Sequence, residues 1–203
     1  MSLTQNFSYK KSTQAINFFA TMQNGVIDKL KTLKLIYFAD RYHIRKYGRL
    51  ITNDNYFAMD YGPVASGTKD IIELNNFLSE IEKDYAIRFI EPTTDFNYIR
   101  SIKKVNLEEF SASEIEALKY ISGKYQKLGS IELSEITHKY PDWQKKSKFL
   151  NPGQVSRVGM DLIDFFEDPS DPNIDKIYQL TEDEKAAKIE YLIELNSLNK
   201  LWS

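Results

Sequence analysis

The 203-residue sequence contains no cysteine and only two histidines, His43 and His138. Without cysteine the chain forms no disulfide, no thiolate nucleophile and no cysteine-bound zinc or iron–sulfur cluster, which fits a reducing cytoplasm. The two histidines stand alone and match no metal-binding motif. The eight glycines form no phosphate-binding loop. We therefore expect neither a metal nor a cofactor.

Long apolar runs and an excess of one charge are also lacking. No run approaches the roughly 18 apolar residues that a membrane-spanning helix requires, and the amino terminus lacks the apolar core of a signal peptide. The 27 basic and 29 acidic residues give a net charge of −2, so no global positive field favours nucleic acid or membranes. These features predict a soluble cytoplasmic protein without a membrane partner, and they leave its oligomeric state open.

Apolar residues recur at helical spacing through most of the chain. They predict a first helix over residues 12–25 and a long second helix over residues 26–48. The remaining predicted helices run from Pro63 toward Lys83 and over residues 113–129, 130–140, 155–166 and 181–202. Residues 56–58 and parts of 85–107 favour short strands. The predicted fold is mainly α with a small β element (α+β), a compact multi-helix domain with a short hairpin or small sheet.

Two Ser/Thr-x-x-Glu patterns mark predicted helix starts, because such a pair satisfies free backbone N–H groups in a capping box. The first pattern pairs Ser113 with Glu116, and the second pairs Thr181 with Glu184. The predicted last helix therefore begins near Thr181.

Neither histidine stands in a catalytic pattern. His43 has no serine or carboxylate at catalytic spacing on its helix, so we interpret it as a packing residue. His138 falls at a predicted helix end, where a histidine caps carbonyls and interacts favourably with the helix dipole. An enzyme that uses His138 with Glu135 or Thr137 ranks last among the hypotheses. We predict that the chain is not an enzyme.

Charge and aromatic residues segregate along the chain. Residues 28–49 contain seven basic and two acidic residues, whereas residues 161–184 contain nine acidic residues and one basic residue. Solvated helix faces explain this pattern better than a steering surface does, although a charged protein partner would use the same arrangement. The aromatics near the end of the second helix fit the core, a protein interface or an RNA-stacking platform. They are Tyr37, Tyr42, Tyr47, Tyr56, Phe57 and Tyr61.

Three passages together resemble a known family. The first runs from Leu30 to Gly48, the second is Phe57–Val64 with its Gly-Pro-Val triplet, and the third is Ser134–His138, followed by Pro141 and Trp143. Their order and spacing are similar to the Panacea family, also called SocA-like antitoxin domains and long known as phage-associated proteins. Met59 departs from this pattern, since an aromatic residue is expected there.

The resemblance implies an antitoxin that neutralises a toxin encoded beside it, in a bacterial or phage genome, by direct contact. The toxin's class is left open, as is the choice between occlusion and delivery to protease machinery. The predicted partner-binding residues are Lys34, Tyr37, Arg41, Tyr42, Arg45, Tyr61 and His138. The predicted structural motif residues are Gly48, Gly62, Pro63, Val64, Thr137 and Trp143.

The resemblance also suggests a division of the chain. Residues 1–11 are expected to form a tail, residues 12–150 the Panacea-like domain, and residues 151–203 an acidic helical extension packed on that domain. The alternative function is a nucleic-acid-binding transcriptional regulator that uses the basic face of residues 29–49. Its operator contacts would weaken steeply as salt rises.

Overall fold

The computed structural model describes residues 7–201, and their fold is mainly helical with two small sheets. About 53% of the chain is helical. The α-helices are α1 Tyr9–Met22, α2 Lys29–Tyr47, α3 Ser66–Glu73, α4 Glu80–Ala86, α5 Ala112–Tyr125, α6 Ser130–Thr137, α7 Pro141–Ser147 and α8 Glu182–Leu201. The strands are β1 Val26–Asp28, β2 Tyr56–Met59, β3 Gly62–Ala65, β4 Ile90–Pro92, β5 Tyr98–Ser101 and β6 Val158–Gly159. The predicted fold class is confirmed.

Both sheets are three-stranded and antiparallel. The first has the order β1-β5-β4 and packs the buried residues Ile27, Ile90 and Ile99 toward α1. The second has the order β3-β2-β6, in which β2 and β3 form a hairpin whose last pair is Met59 with Gly62. The hairpin turn therefore consists of Asp60 and Tyr61.

Helix α2 is the centre of the fold. Asp28 caps its start by accepting a hydrogen bond from the Lys31 backbone N–H at 2.7 Å. Gly48 ends it in the left-handed conformation, with φ 77°, which glycine adopts without steric cost. Every residue from 32 to 45 is buried, including the charged ones. A helix surrounded on all sides must find internal partners for its polar side chains.

Two predicted helix boundaries differ from the structure because the residues pair in strands instead. Residues 26–28 continue the helical period of α2, but they form β1, because Val26 and Asp28 pair with Arg100 and Tyr98 of β5. Pro63 does not begin a helix either, because it lies in β3 opposite Ala58. The helix predicted from Pro63 toward Lys83 is instead α3 and α4 with a break between them.

The predicted helix over residues 155–166 is wrong. This segment forms the short strand β6 and a 3₁₀ helix, Leu162–Phe166, because Val158 and Gly159 pair with β2. Helix α7, which starts at Pro141, was not predicted, although proline is favoured at a first helical position.

One of the two predicted capping boxes is correct. The box at the start of α5 uses Ser111 and Glu114, two residues before the predicted pair. The Thr181 and Glu184 box is confirmed, since each backbone N–H donates to the other residue's side chain. The predicted end of the last helix at Trp202 lies outside the described residues.

Candidate functional site

Buried polar side chains of α2 meet residues of the third family-like passage. The Arg41 guanidinium forms an ion pair with Asp142, and both side chains are fully buried. The Tyr37 hydroxyl lies 2.9 and 3.0 Å from the two carboxylate oxygens of Asp142. Burial raises the pKa of Asp142, and the charge of Arg41 opposes that shift. Sequence reasoning missed Asp142, which joins α7 to the central helix.

Arg45 reaches in the other direction, toward the carboxyl-terminal part of the chain. Its Nε donates to the Tyr178 carbonyl at 2.7 Å, and its Nη1 donates to the Phe165 carbonyl at 3.0 Å. Its Nη2 pairs with Asp168 at 2.6 Å. Arg41 adds a bond from Nη2 to the Glu167 carbonyl at 2.7 Å. Backbone carbonyls beyond residue 160 thus accept hydrogen bonds from the buried guanidinium groups of α2, and Asp168 supplies a counter-charge.

Lys34 is buried where all three family-like passages converge. Its ammonium donates to the Pro63 carbonyl at 2.8 Å, and no carboxylate of the described residues pairs with it. Burial lowers the pKa of this amine to about 7. Gly62 has φ +98°, and a Cβ placed on it would stand 3.0 Å from Lys34 Nζ and closer still to Thr137 Oγ1. Gly62 therefore leaves the space that Lys34 and Thr137 occupy.

His138 and Trp143 form a stacked pair at the edge of this cluster. Their ring centroids are 3.9 Å apart, with an interplanar angle of 12°. Trp143 Nε1 donates to the Met59 carbonyl at 3.0 Å, which ties α7 to the β2–β3 hairpin. Burial lowers the pKa of His138, and the Lys34 charge lowers it further. His138 is the C-cap residue of α6, as its predicted place at a helix end requires. Its buried ring Nε2 has no hydrogen-bond partner within residues 7–201, and the ring packs on Trp143.

The predicted partner-binding residues divide into buried and exposed groups. Lys34, Tyr37, Arg41 and Arg45 are fully buried, and Tyr42 is 6% exposed. Tyr61, at the tip of the hairpin, is 64% exposed, and His138 is partly exposed. Five of the seven predicted residues thus lie on α2 in the protein interior, and the other two lie at the surface. Contact of any of them with a partner stays a prediction.

The predicted basic face of residues 29–49 is only partly at the surface, where Lys29, Lys31, Lys46 and Arg49 are partly exposed. Three of its cations are buried, and Arg49 and Lys46 pair with Glu114 and Glu116 of α5. The Tyr42 hydroxyl also donates to a Glu116 carboxylate oxygen at 2.7 Å. The Tyr42 ring stacks on the Tyr120 ring, with the two centroids 4.7 Å apart. These contacts reduce the positive charge that α2 presents at the surface, and binding of nucleic acid there stays a prediction.

The predicted motif residues all have structural contacts. Gly48 ends α2, and Val64 and Pro63 are buried in β3 beside that helix. The Thr137 hydroxyl donates to the Ser134 carbonyl at 2.7 Å.

Beside the hairpin lies a groove of about 340 Å³ lined by Phe57, Met59 and Phe77 on its apolar side. Sequence reasoning missed this groove because its walls come from three separate segments.

The arrangement is that of a helical scaffold in which most of the family-like residues pack inside. A family model described as Antitoxin SocA-like, Panacea domain, matches residues 33–144. The chain belongs to this family, and the resemblance noted in the sequence is confirmed. No curated protein and no solved structure matches the chain. None of the helices in residues 7–201 has the length and apolarity that crossing a bilayer demands.

Proposed function

We propose that the chain is an antitoxin that neutralises a cognate toxin by binding it directly. The observation that carries this proposal is the family match over residues 33–144. The buried motif residues support it, because a scaffold with fixed internal ion pairs holds its surface in one shape before the partner arrives. We place the activity in the cytoplasm, where a chain without cysteine suits the reducing conditions.

The proposed role is binding rather than catalysis. His43 hydrogen-bonds to the Arg49 carbonyl at 2.7 Å and to Ser113 at 3.0 Å, so both ring nitrogens have structural partners. His138 is stacked on Trp143. Both histidines therefore serve packing in this proposal, and the toxin is neutralised by occlusion or by delivery to protease machinery.

Co-expression with the product of the adjacent gene tests the proposal. We expect that product to stop growth of a bacterial host on its own, and we expect the chain to restore growth and to co-purify with it. Equal toxicity with and without the chain would reject the proposal.

Tyr61 is the predicted contact residue that the structure exposes most. Tyr61→Ala should weaken co-purification, because an aromatic side chain at an interface contributes a large buried area. Phe149→Ala is the matched control, since Phe149 is also an exposed aromatic, at 59%. Equal loss of binding in both variants would argue against a specific contact at Tyr61.

A further inference from the structure

The first sheet has one buried face and one open face. Successive side chains of a strand point to opposite faces, so the neighbours of the buried Ile27 and Ile99 point outward. In the pairing, Val26 lies beside Arg100, and Arg100 lies beside Glu91. Tyr98 follows on the same face, next to Asp28. We refer to this surface, with the β4–β5 turn, as the outer face of the first sheet.

Apolar side chains occupy much of this outer face. Phe96, in the β4–β5 turn, is 77% exposed, Ile102 is 45% exposed and Tyr98 is 38% exposed. Val26 is exposed beside them. Ile102 continues the alternation of β5, and its N–H donates to the Phe89 carbonyl at 2.9 Å. Scattered single apolar residues are normal at a surface, but a group on one sheet face marks an interaction site.

Unpaired positive charge borders the apolar residues. Residues 87–104 contain four basic and two acidic residues. Arg100 and Glu91 pair with each other at 3.1 Å, and Asp28 caps α2. Arg88, Lys103 and Lys104 form no ion pair with any residue of the described chain. Arg88, Lys103 and Lys104 flank the hydrogen-bonded Phe89 and Ile102, so the end of the sheet away from the β4–β5 turn is positive, although the whole chain carries a net charge of −2.

We propose that the toxin docks on the outer face of the first sheet through an acidic segment that also carries apolar side chains. This proposal rests on the proposed antitoxin function and names the surface that performs it. The apolar residues of the toxin would cover Phe96, Tyr98 and Ile102, and its carboxylates would face Arg88 and Lys104. Such complementarity speeds association and excludes partners of the wrong charge.

A protein segment fits this surface better than a nucleic acid does. Aromatic and basic residues also form stacking platforms for single strands. Here, however, the aliphatic side chains of Val26 and Ile102 lie among the aromatic ones, and an aliphatic side chain offers a base no stacking surface. One of the basic residues, Arg100, is already neutralised by Glu91.

Two double variants test the surface against the purified product of the adjacent gene. Phe96→Ala/Tyr98→Ala removes apolar area, and we expect it to raise Kd at least about tenfold, as for interface anchors. Arg88→Glu/Lys104→Glu reverses charge, and we expect it to slow association and to remove most of the dependence of the association rate on salt. Circular dichroism and thermal unfolding would establish that each variant is folded.

The controls use equivalent residues elsewhere. Phe149→Ala removes another exposed aromatic, and Lys119→Glu/Lys127→Glu reverses two exposed lysines near α5. Neither should change Kd by more than about twofold, since most surface substitutions outside an interface are nearly neutral. If the unmodified chain binds the gene product and the outer-face variants bind equally well, the surface assignment is overturned while the antitoxin proposal stands. If the unmodified chain does not bind at all, both proposals fall.

A third measurement addresses the nucleic-acid reading of the same surface. The unmodified chain is titrated with a single-stranded oligonucleotide in low salt. The proposal is overturned in favour of a nucleic-acid site if the unmodified chain binds the oligonucleotide and the outer-face variants lose that binding but still bind the toxin. Absence of oligonucleotide binding together with loss of toxin binding supports it.

Discussion

Gly62 and Thr137 lie so close together that a side chain on Gly62 would overlap the Thr137 hydroxyl. That hydroxyl is held by its bond to the Ser134 carbonyl and cannot move aside without losing it. The contact joins the second and third family-like passages across the interior. It is the closest physical link between the hairpin and α6 described above.

We predict that Gly62→Ala destabilises the protein by about 3 kcal/mol, because it combines a positive φ with a clash in a packed interior. Gly153→Ala is the control, since Gly153 has φ +82° but no atom within 4 Å of an added Cβ. It should cost only about 1 to 2 kcal/mol, from the backbone alone. Urea unfolding measures both values, and equal losses would show that the close packing at Gly62 contributes nothing.

Lys34 should give the protein a stability that rises with pH. Burial lowers its pKa to about 7 from the usual 10.5 of a lysine, so the unfolded chain binds more protons between these values. The free energy of unfolding therefore increases as pH rises from about 7 toward 10. Relative to Lys34→Met, the unmodified protein should gain about 2 kcal/mol between pH 7 and 9. A difference that stays constant over this range would contradict a buried, titrating Lys34.

The buried Arg41–Asp142 pair should be costly to break from one side. Asp142→Asn leaves the guanidinium without its counter-charge, and we expect a loss of about 3 to 5 kcal/mol in urea unfolding. Adding Arg41→Met should recover part of that loss, because no buried charge then remains uncompensated. Arg100→Met, at the exposed pair with Glu91, should cost less than about 1 kcal/mol. Additive losses at Arg41 and Asp142 would show that the two groups are not coupled.

His43 should oppose folding in acid. Burial lowers its pKa to about 4 from 6.5, so the unfolded chain takes up more protons in this window. The free energy of unfolding should fall as pH decreases from about 6.5 toward 4, by about 2 to 3 kcal/mol from this group alone. His43→Gln should flatten the curve by that amount. Thermal unfolding at several pH values measures the effect, and parallel curves for the two proteins would argue against it.

Helix periodicity predicted the long helices because their apolar residues recur at helical spacing within one uninterrupted segment of the sequence. The central part of α2 and the helix that follows the Thr181 capping box were predicted in this way. The strand alternation predicted β2, but β1 and β6 were not predicted, because their strand partners lie far along the chain. Val158 and Gly159 become a strand only because β2 passes beside them.

The buried charges of α2 were the least predictable part of the site. Lysine and arginine are almost never fully buried without a partner, so nothing in the sequence pattern indicates that Lys34 and Arg41 are buried. The partners that make their burial acceptable are distant. The Pro63 carbonyl lies 29 residues from Lys34 in the chain, and Asp142 lies 101 residues from Arg41. Only the resemblance to a family indicated that these passages belong together.

The dependence of Arg45 on the carbonyls of Phe165 and Tyr178 constrains how this domain can be recombined. Both acceptors lie beyond residues 33–144, the part that matches the family. A chimera that grafts residues 33–144 onto a different tail would bury a guanidinium without acceptors unless the new tail supplied equivalent ones. The carboxyl-terminal segment with Phe165 and Tyr178 should therefore be inherited together with the central helix, even though that segment lies outside the family match.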